Sequence, residues 1–146
     1  MKRFKKLISI TLCIFAFATI FATNAFAAAT NNDYNFDFKI QGSVDNAQDP
    51  TGRYRGTTNN NHSWKVQLTS SGEGEKTITK FWIENKNGTN ASSAYNIKQG
   101  NPAEYKPAND YGDSTTVYLT GENNNYASSK QYVVKGFWDE ETGIFL

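Results

Sequence analysis

The stretch His62–Asn87, HSWKVQLTSSGEGEKTITKFWIENKN, decides the reading of the chain. Trp64, Val66 and Leu68 alternate with Ser63, Lys65, Gln67 and Thr69. A period of two is what a β-strand shows when one face is buried and the other meets water. Ser70 to Glu75 then supplies two glycines and no apolar residue, so the chain can reverse there with left-handed backbone angles at little steric cost. The return segment, Lys76 to Glu84, is rich in β-branched and aromatic residues, which favour strands. The expectation is a hairpin. Phe81, Trp82 and Ile83 are consecutive, which breaks the alternation: either both faces of the second strand are covered there, or a bulge shifts its phase.

Working outward, Tyr34, Phe36, Phe38 and Ile40 alternate with Asn35, Asp37 and Lys39 and form the clearest strand signal in the chain. Gln41–Gly52 carries Gly, Asn, Asp and Pro and reads as a loop, followed by a short strand at Arg53–Arg55 and a polar linker into the central pair. Beyond the pair, residues 94–97 suit a short strand, and residues 98–114, with Pro102 and Pro107, read as a long loop. Thr115–Thr120 and Gln131–Trp138 complete the set, the latter followed by the acidic Asp139-Glu140-Glu141. No segment sustains a helical apolar period. The pattern predicts an all-β protein: one antiparallel β-sandwich of about seven strands in a Greek-key-like arrangement, with a small β-barrel as the alternative.

The first 27 residues have a different character. Lys2, Arg3, Lys5 and Lys6 precede a largely apolar run from Leu7 to Phe21, and Ala25-Phe26-Ala27 offers the small-x-small pattern of a leader cleavage site. That three-part pattern predicts a signal peptide over 1–27, cleavage after Ala27 with Ala28 or Ala29 as alternatives, and a secreted, extracellular domain over 28–146 without stable membrane insertion. The expected mature chain has 119 residues, a usual size for one domain. It contains no cysteine, because Cys13 lies in the leader, and so no disulfide holds it together. Loss of four basic residues leaves eleven Lys and Arg against fourteen Asp and Glu, a net charge of −3 with His62 neutral. An acidic chain without a basic cluster has no electrostatic footprint for nucleic acid.

Residues 51–83, TGRYRGTTNNNHSWKVQLTSSGEGEKTITKFWI, together with NIKQG, GENNNY and the terminal GFWDEETG, resemble the YolA-like family of small secreted proteins of Gram-positive bacteria, a domain of unknown function. The resemblance extends over nearly all of residues 34–143. It implies export and a compact β-rich module, and it carries over no catalytic or ligand-binding residue.

Three kinds of chemistry can be weighed on the residues themselves. Residues 28–146 hold one histidine and no cysteine, which excludes Cys-His nucleophilic chemistry and a multi-histidine zinc site in a monomer. His62 stands at a polar strand entrance without any G-x-S-x-G around a serine, where a solvated histidine is the default. Paired carboxylates can serve glycoside hydrolysis, and Glu73, Glu75, Glu84, Glu104, Glu122, Glu140 and Glu141 are available, most of them in turns where acids ordinarily serve solubility. No cofactor is expected, and calcium binding is the second kind of chemistry, with a weak signal in the oxygen ligands of Asp45-Asn46, Asp49, Asn109-Asp110, Asp113 and Asp139-Glu140-Glu141. No EF-hand loop is present, Asn and Asp in loops usually reflect turn chemistry, and metal ligands stay unassigned.

Recognition of a surface polymer is the third. Trp64, Trp82, Trp138, Tyr54, Tyr95, Tyr105, Tyr111 and Tyr126 are many aromatics for so short a chain. Aromatic faces pack on the apolar C–H surface of sugar rings while amides hydrogen-bond their hydroxyls. Trp64 and Trp138 suit a sandwich core instead. The expected binding residues are therefore Tyr105, Tyr111, Tyr126, Asn109 and Asn123, provided that their loops gather at one rim. The sequence reading is a secreted, non-enzymatic module acting by surface contact with a cell-envelope polymer or another exported protein. A small secreted hydrolase and an exported toxin or competition factor are the alternatives.

Overall fold

The computed structural model describes residues 30–43 and 45–146. The expected signal peptide and its cleavage bond lie outside the described residues. Nine strands follow in chain order: β1 Tyr34–Ile40, β2 Ala47–Gln48, β3 Arg53–Arg55, β4 Trp64–Ser71, β5 Ile78–Asn85, β6 Tyr95–Lys98, β7 Glu104–Lys106, β8 Thr115–Asn123 and β9 Tyr132–Asp139. A one-turn 3-10 helix, Asp110–Gly112, sits between β7 and β8. The strands form two antiparallel sheets, one ordered β1-β9-β4-β7 and the other β2-β8-β5-β6 with β3 also paired to β8. The sheets pack together and do not close into a barrel.

The alternation read from the sequence is what builds the core. Phe36, Phe38 and Ile40 of β1, Trp64, Val66 and Leu68 of β4, and Val134 and Trp138 of β9 face inward from the four-stranded sheet. Phe81 and Ile83 of β5 and Val117 and Leu119 of β8 meet them from the other. The Phe36 and Phe38 rings lie 5.5 and 6.3 Å from the Phe81 ring, tilted and edge-on, the geometries that aromatic quadrupoles favour. Trp64 and Trp138 are both fully buried, as expected of core residues.

Two features depart from the sequence reading. β4 and β5 exist, but they are not a hairpin: β4 lies between β9 and β7, β5 lies between β8 and β6, and residues 72–77 carry the chain from one sheet to the other. Alternation fixes which face of a strand is buried; it does not say whether the next strand lies beside it or across the core from it. The apolar triplet is explained by cover on both faces. The β5–β8 register runs unbroken from Thr79 to Asn85, with Phe81 and Ile83 in the core and Trp82 on the opposite face at 3% exposure. The irregularity sits instead in β4, between Leu68 and Ser70 opposite β9. There are also nine strands where about seven were expected, because β2 and β7 form within stretches read as loops. Backbone pairing to β8 and β4 defines them, and two or three residues carry no periodicity to read.

Candidate binding face

The outer face of the five-stranded sheet gathers its side chains by register. On β8, Val117, Leu119 and Gly121 point into the core: a Cβ added to Gly121 would lie 2.8 Å from the Ile40 side chain. The alternate residues Thr116, Tyr118, Thr120 and Glu122 therefore point outward. On β3, Arg55 is buried and the Arg53 guanidinium lies 3.5 Å from the centroid of the Tyr34 ring and 5.7 Å from that of Trp138. That leaves Tyr54 on the outer face, 62% exposed and paired with Thr116. On β5, Lys80, Trp82 and Glu84 face outward, opposite Glu122, Thr120 and Tyr118 respectively.

These side chains are interlinked. Trp82 Nε1 donates to Glu84 Oε1 at 2.8 Å, and Gln48 Nε2 donates to Glu84 Oε2 at 3.2 Å and to Thr120 Oγ1 at 3.3 Å. The Tyr118 ring rests against bare backbone, since a Cβ on Gly52 would come within 2.5 Å of two of its ring atoms. At the far end Lys80 pairs with Glu122 at 3.5 Å, contacts the Tyr126 hydroxyl, and lies 4.6 Å from the Tyr126 ring centroid. Tyr126 itself is 50% exposed. Tyr54, Tyr118 and Tyr126 thus mark a line along β8. From the level of Thr116 to that of Glu122 the line is roughly 20 Å long at the usual antiparallel rise.

The five residues singled out in the sequence do not gather at one rim. Tyr111 lies at the end of the sandwich where β5 stops and β8 starts, its carbonyl accepting from Asn85 Nδ2. Asn109 is beside it and caps the 3-10 helix: its Oδ1 accepts from Tyr111 N and its Nδ2 donates to the Asn90 carbonyl. Tyr105 lies toward the same end on β7, half-buried, with its hydroxyl accepting from Asn31 Nδ2. Asn123 and Tyr126 are at the opposite end, where β8 stops and β5 starts. Asn123 is fully buried and its Oδ1 accepts from Asn125 N, a turn-forming role. Only Tyr126 belongs to the outer face. Tyr118, which the sequence reading does not single out, points outward, as the core residues Val117 and Leu119 on either side of it signal.

The acidic DEET segment is built inward. Asp139 is fully buried and accepts from the Glu141 and Asn32 amides. Glu141 Oε2 accepts from the Gly56 and Thr57 amides at 2.8 and 3.0 Å, and its Oε1 lies 3.4 Å from His62 Nδ1. His62 is therefore no solvated histidine: it stacks edge-on against Phe145 at 4.3 Å as well. Arg55 donates to the carbonyls of Asn59, His62 and Glu140, tying β3, the 59–62 loop and the terminal segment into one knot. Burial, reinforced by Asp139 and Glu141 and opposed by a hydrogen bond from its own backbone amide and by Arg53, pushes the Glu140 carboxyl up to about 7. Asp139 and Glu141 are engaged in holding the chain. Among the described residues no three His, Cys, Asp or Glu side chains come together as metal ligands. Asp49, one of the calcium candidates, accepts instead from Trp138 Nε1 at 3.1 Å and from Thr51 N at 3.0 Å.

A family model described as a protein of unknown function (DUF2712) matches residues 23–142. The chain belongs to this family. The match takes in the nine strands of the described residues, including the outer face and the Arg55 knot, and leaves the exposed Ile144-Phe145-Leu146 end outside it. No curated protein and no solved structure matches the chain.

Proposed function

We propose that this DUF2712 domain is an exported, non-catalytic module of the YolA-like kind that holds a cell-envelope polymer across the outer face of its five-stranded sheet. The observation that carries the reading is the line of Tyr54 on β3, Tyr118 on β8 and Tyr126 in the loop after β8, with Gln48 and Glu84 between the rings. Ring faces supply apolar contact for a chain of sugars, and the amide, hydroxyl and carboxylate groups beside them supply the oriented hydrogen bonds that fix it. Trp82 serves as the floor of the face, since it is only 3% exposed and its one donor is committed to Glu84. Export is supported by the leader-like pattern of residues 1–27.

Co-sedimentation with purified cell walls tests this. The mature domain is expected to pellet with walls, and the double variant Tyr54→Ala/Tyr118→Ala to remain in the supernatant with an unchanged melting temperature. Tyr105→Ala/Tyr111→Ala, which leaves the outer face intact, is expected to pellet like the wild type. Equal pelleting of both double variants would overturn the assignment to this face.

A further inference from the structure

Resting on that reading, we infer that the ligand is an uncharged glycan and not a polyanion such as teichoic acid or a uronic-acid polymer. The argument is charge complementarity. The outward strand positions of the face carry Lys80 and Lys98 against Glu84 and Glu122, which sum to zero. Three of the four are already matched within the face. Lys80 is held between Glu122 and the Tyr126 ring, and Glu84 accepts from Trp82 and Gln48 with its two oxygens. Lys98 stands on the outermost strand, β6, at the sheet edge and away from the tyrosine line on β8 and β3.

A polyanion laid along Tyr54, Tyr118 and Tyr126 would find a single unmatched cation beside that line, the exposed Lys86 just past β5 opposite Thr116, and would meet the carboxylates of Glu84 and Glu122. Phosphate and carboxylate polymers are bound through arrays of Lys and Arg, with affinity that falls steeply as salt rises. The two arginines nearest the face, Arg53 and Arg55, belong to the inward side of β3, over Tyr34 and among backbone carbonyls. What the face does present is a set of hydrogen-bonding groups beside aromatic rings: the exposed Gln48 amide at its centre and the Tyr54 and Tyr118 hydroxyls. That suits hydroxyl-rich, uncharged rings. The line is long enough for several sugars in an extended chain, which makes a polymer segment the fitting ligand and a free monosaccharide a poor one.

Affinity electrophoresis in native gels cast with a single polymer separates the alternatives. The probes are uncharged polysaccharides (xylan, mannan, a mixed-linkage glucan) and two polyanions (wall teichoic acid and polygalacturonate). The expected result is retardation by at least one uncharged polymer, insensitive to added salt, weakened about tenfold or more in Tyr54→Ala and in Tyr54→Ala/Tyr118→Ala. Tyr111→Ala is expected to migrate as wild type, and thermal melts of each variant exclude misfolding. Retardation by the polyanions alone, abolished by salt yet still dependent on Tyr54, would overturn the uncharged class and leave the binding face standing. No retardation by any probe, or retardation that ignores the tyrosine substitutions, would overturn the face itself.

Discussion

Lys65 Nζ lies 2.7 Å from Asp33 Oδ1, and the lysine is only 4% exposed although alternation along β4 assigns it to the wet face. The cover comes from the segment that precedes β1. Asn31 and Asp33 accept from the ammonium, Asn32 N donates to Asp139, and Asn31 Nδ2 donates to Tyr105. Residues 31–33 thus strap one end of the four-stranded sheet and shield a cation that would otherwise stay in water.

The strap has a measurable consequence. Removing residues 28–33 from the mature domain, or replacing Asp33 by Ala, leaves the Lys65 charge short of a partner, and loss of one member of a well-buried pair costs several kcal/mol while an exposed partner costs less. Because the Asp33 side chain is largely exposed, Asp33→Ala is expected to lower stability by about 1 kcal/mol and the deletion by more. Lys65→Met, which keeps the volume and removes the charge, should make the domain insensitive to Asp33→Ala. Urea denaturation of the wild type, the deletion, the two single variants and the Lys65→Met/Asp33→Ala double variant reads the comparison.

Glu140 makes stability depend on pH in an unusual direction for a carboxylate. Its ordinary value of 4.5 is raised by burial to about 7, so the folded state holds the proton more tightly than the unfolded one. Its contribution is present at low pH and is lost as pH rises from 4.5 through about 7. Asp139 and Asp113 are raised by burial as well and add in the same sense. Glu140 is only partly buried and solvent screens it, so the loss attributable to it is on the order of 1 to 2 kcal/mol. Glu140→Gln should flatten the profile between these limits. A wild-type stability that climbs across the same interval would contradict the buried placement of Glu140.

Gly136 holds the sheet register. It pairs with Phe36 on one side and Leu68 on the other, next to the irregularity in β4, and an added Cβ would lie 1.8 Å from the Gln67 carbonyl oxygen. Backbone cannot yield that distance by a rotamer change, so Gly136→Ala is expected to cost about 3 kcal/mol or more and to lower the melting temperature sharply. A melting temperature within a degree or so of wild type would mean that β4 and β9 are not paired as described.

Gly52 offers a gentler test of the face. Alanine there pushes on the Tyr118 ring and Thr116 methyl, both outside the core. Gly52→Ala should therefore weaken polymer retention several-fold, toward Tyr118→Ala, while core stability changes by about 1 kcal/mol or less.

The fold class was legible because β1, β4, β8 and β9 are long enough to show alternation, and alternation is set by burial of one face. What alternation cannot encode is the partner. The link between β4 and β5 has the glycines of a hairpin, yet each strand finds both its neighbours elsewhere in the chain, and the same glycines serve a crossing between sheets. Lys65, Ser63, Asp139 and Glu140 misled for a related reason. They are polar, and segments distant in sequence, namely the strap before β1 and the knot around Arg55, bury the first three and half-bury Glu140. The tyrosines were read by loop context, which favoured Tyr105 and Tyr111, whereas the face is defined by strand parity, which places Tyr118 and Tyr54 together.

The central claim, that the outer face of the five-stranded sheet is where the domain meets its polymer, is tested most directly by NMR chemical-shift mapping. The isotopically labelled mature domain would be titrated with a soluble glycan fraction released from cell walls. Perturbed amides and side chains are expected to cluster at Gln48, Tyr54, Trp82, Glu84, Tyr118 and Tyr126, with Tyr105, Asn109 and Tyr111 unmoved. Perturbations confined to the Tyr105–Tyr111 end of the sandwich, or no perturbation at saturating glycan, would contradict it.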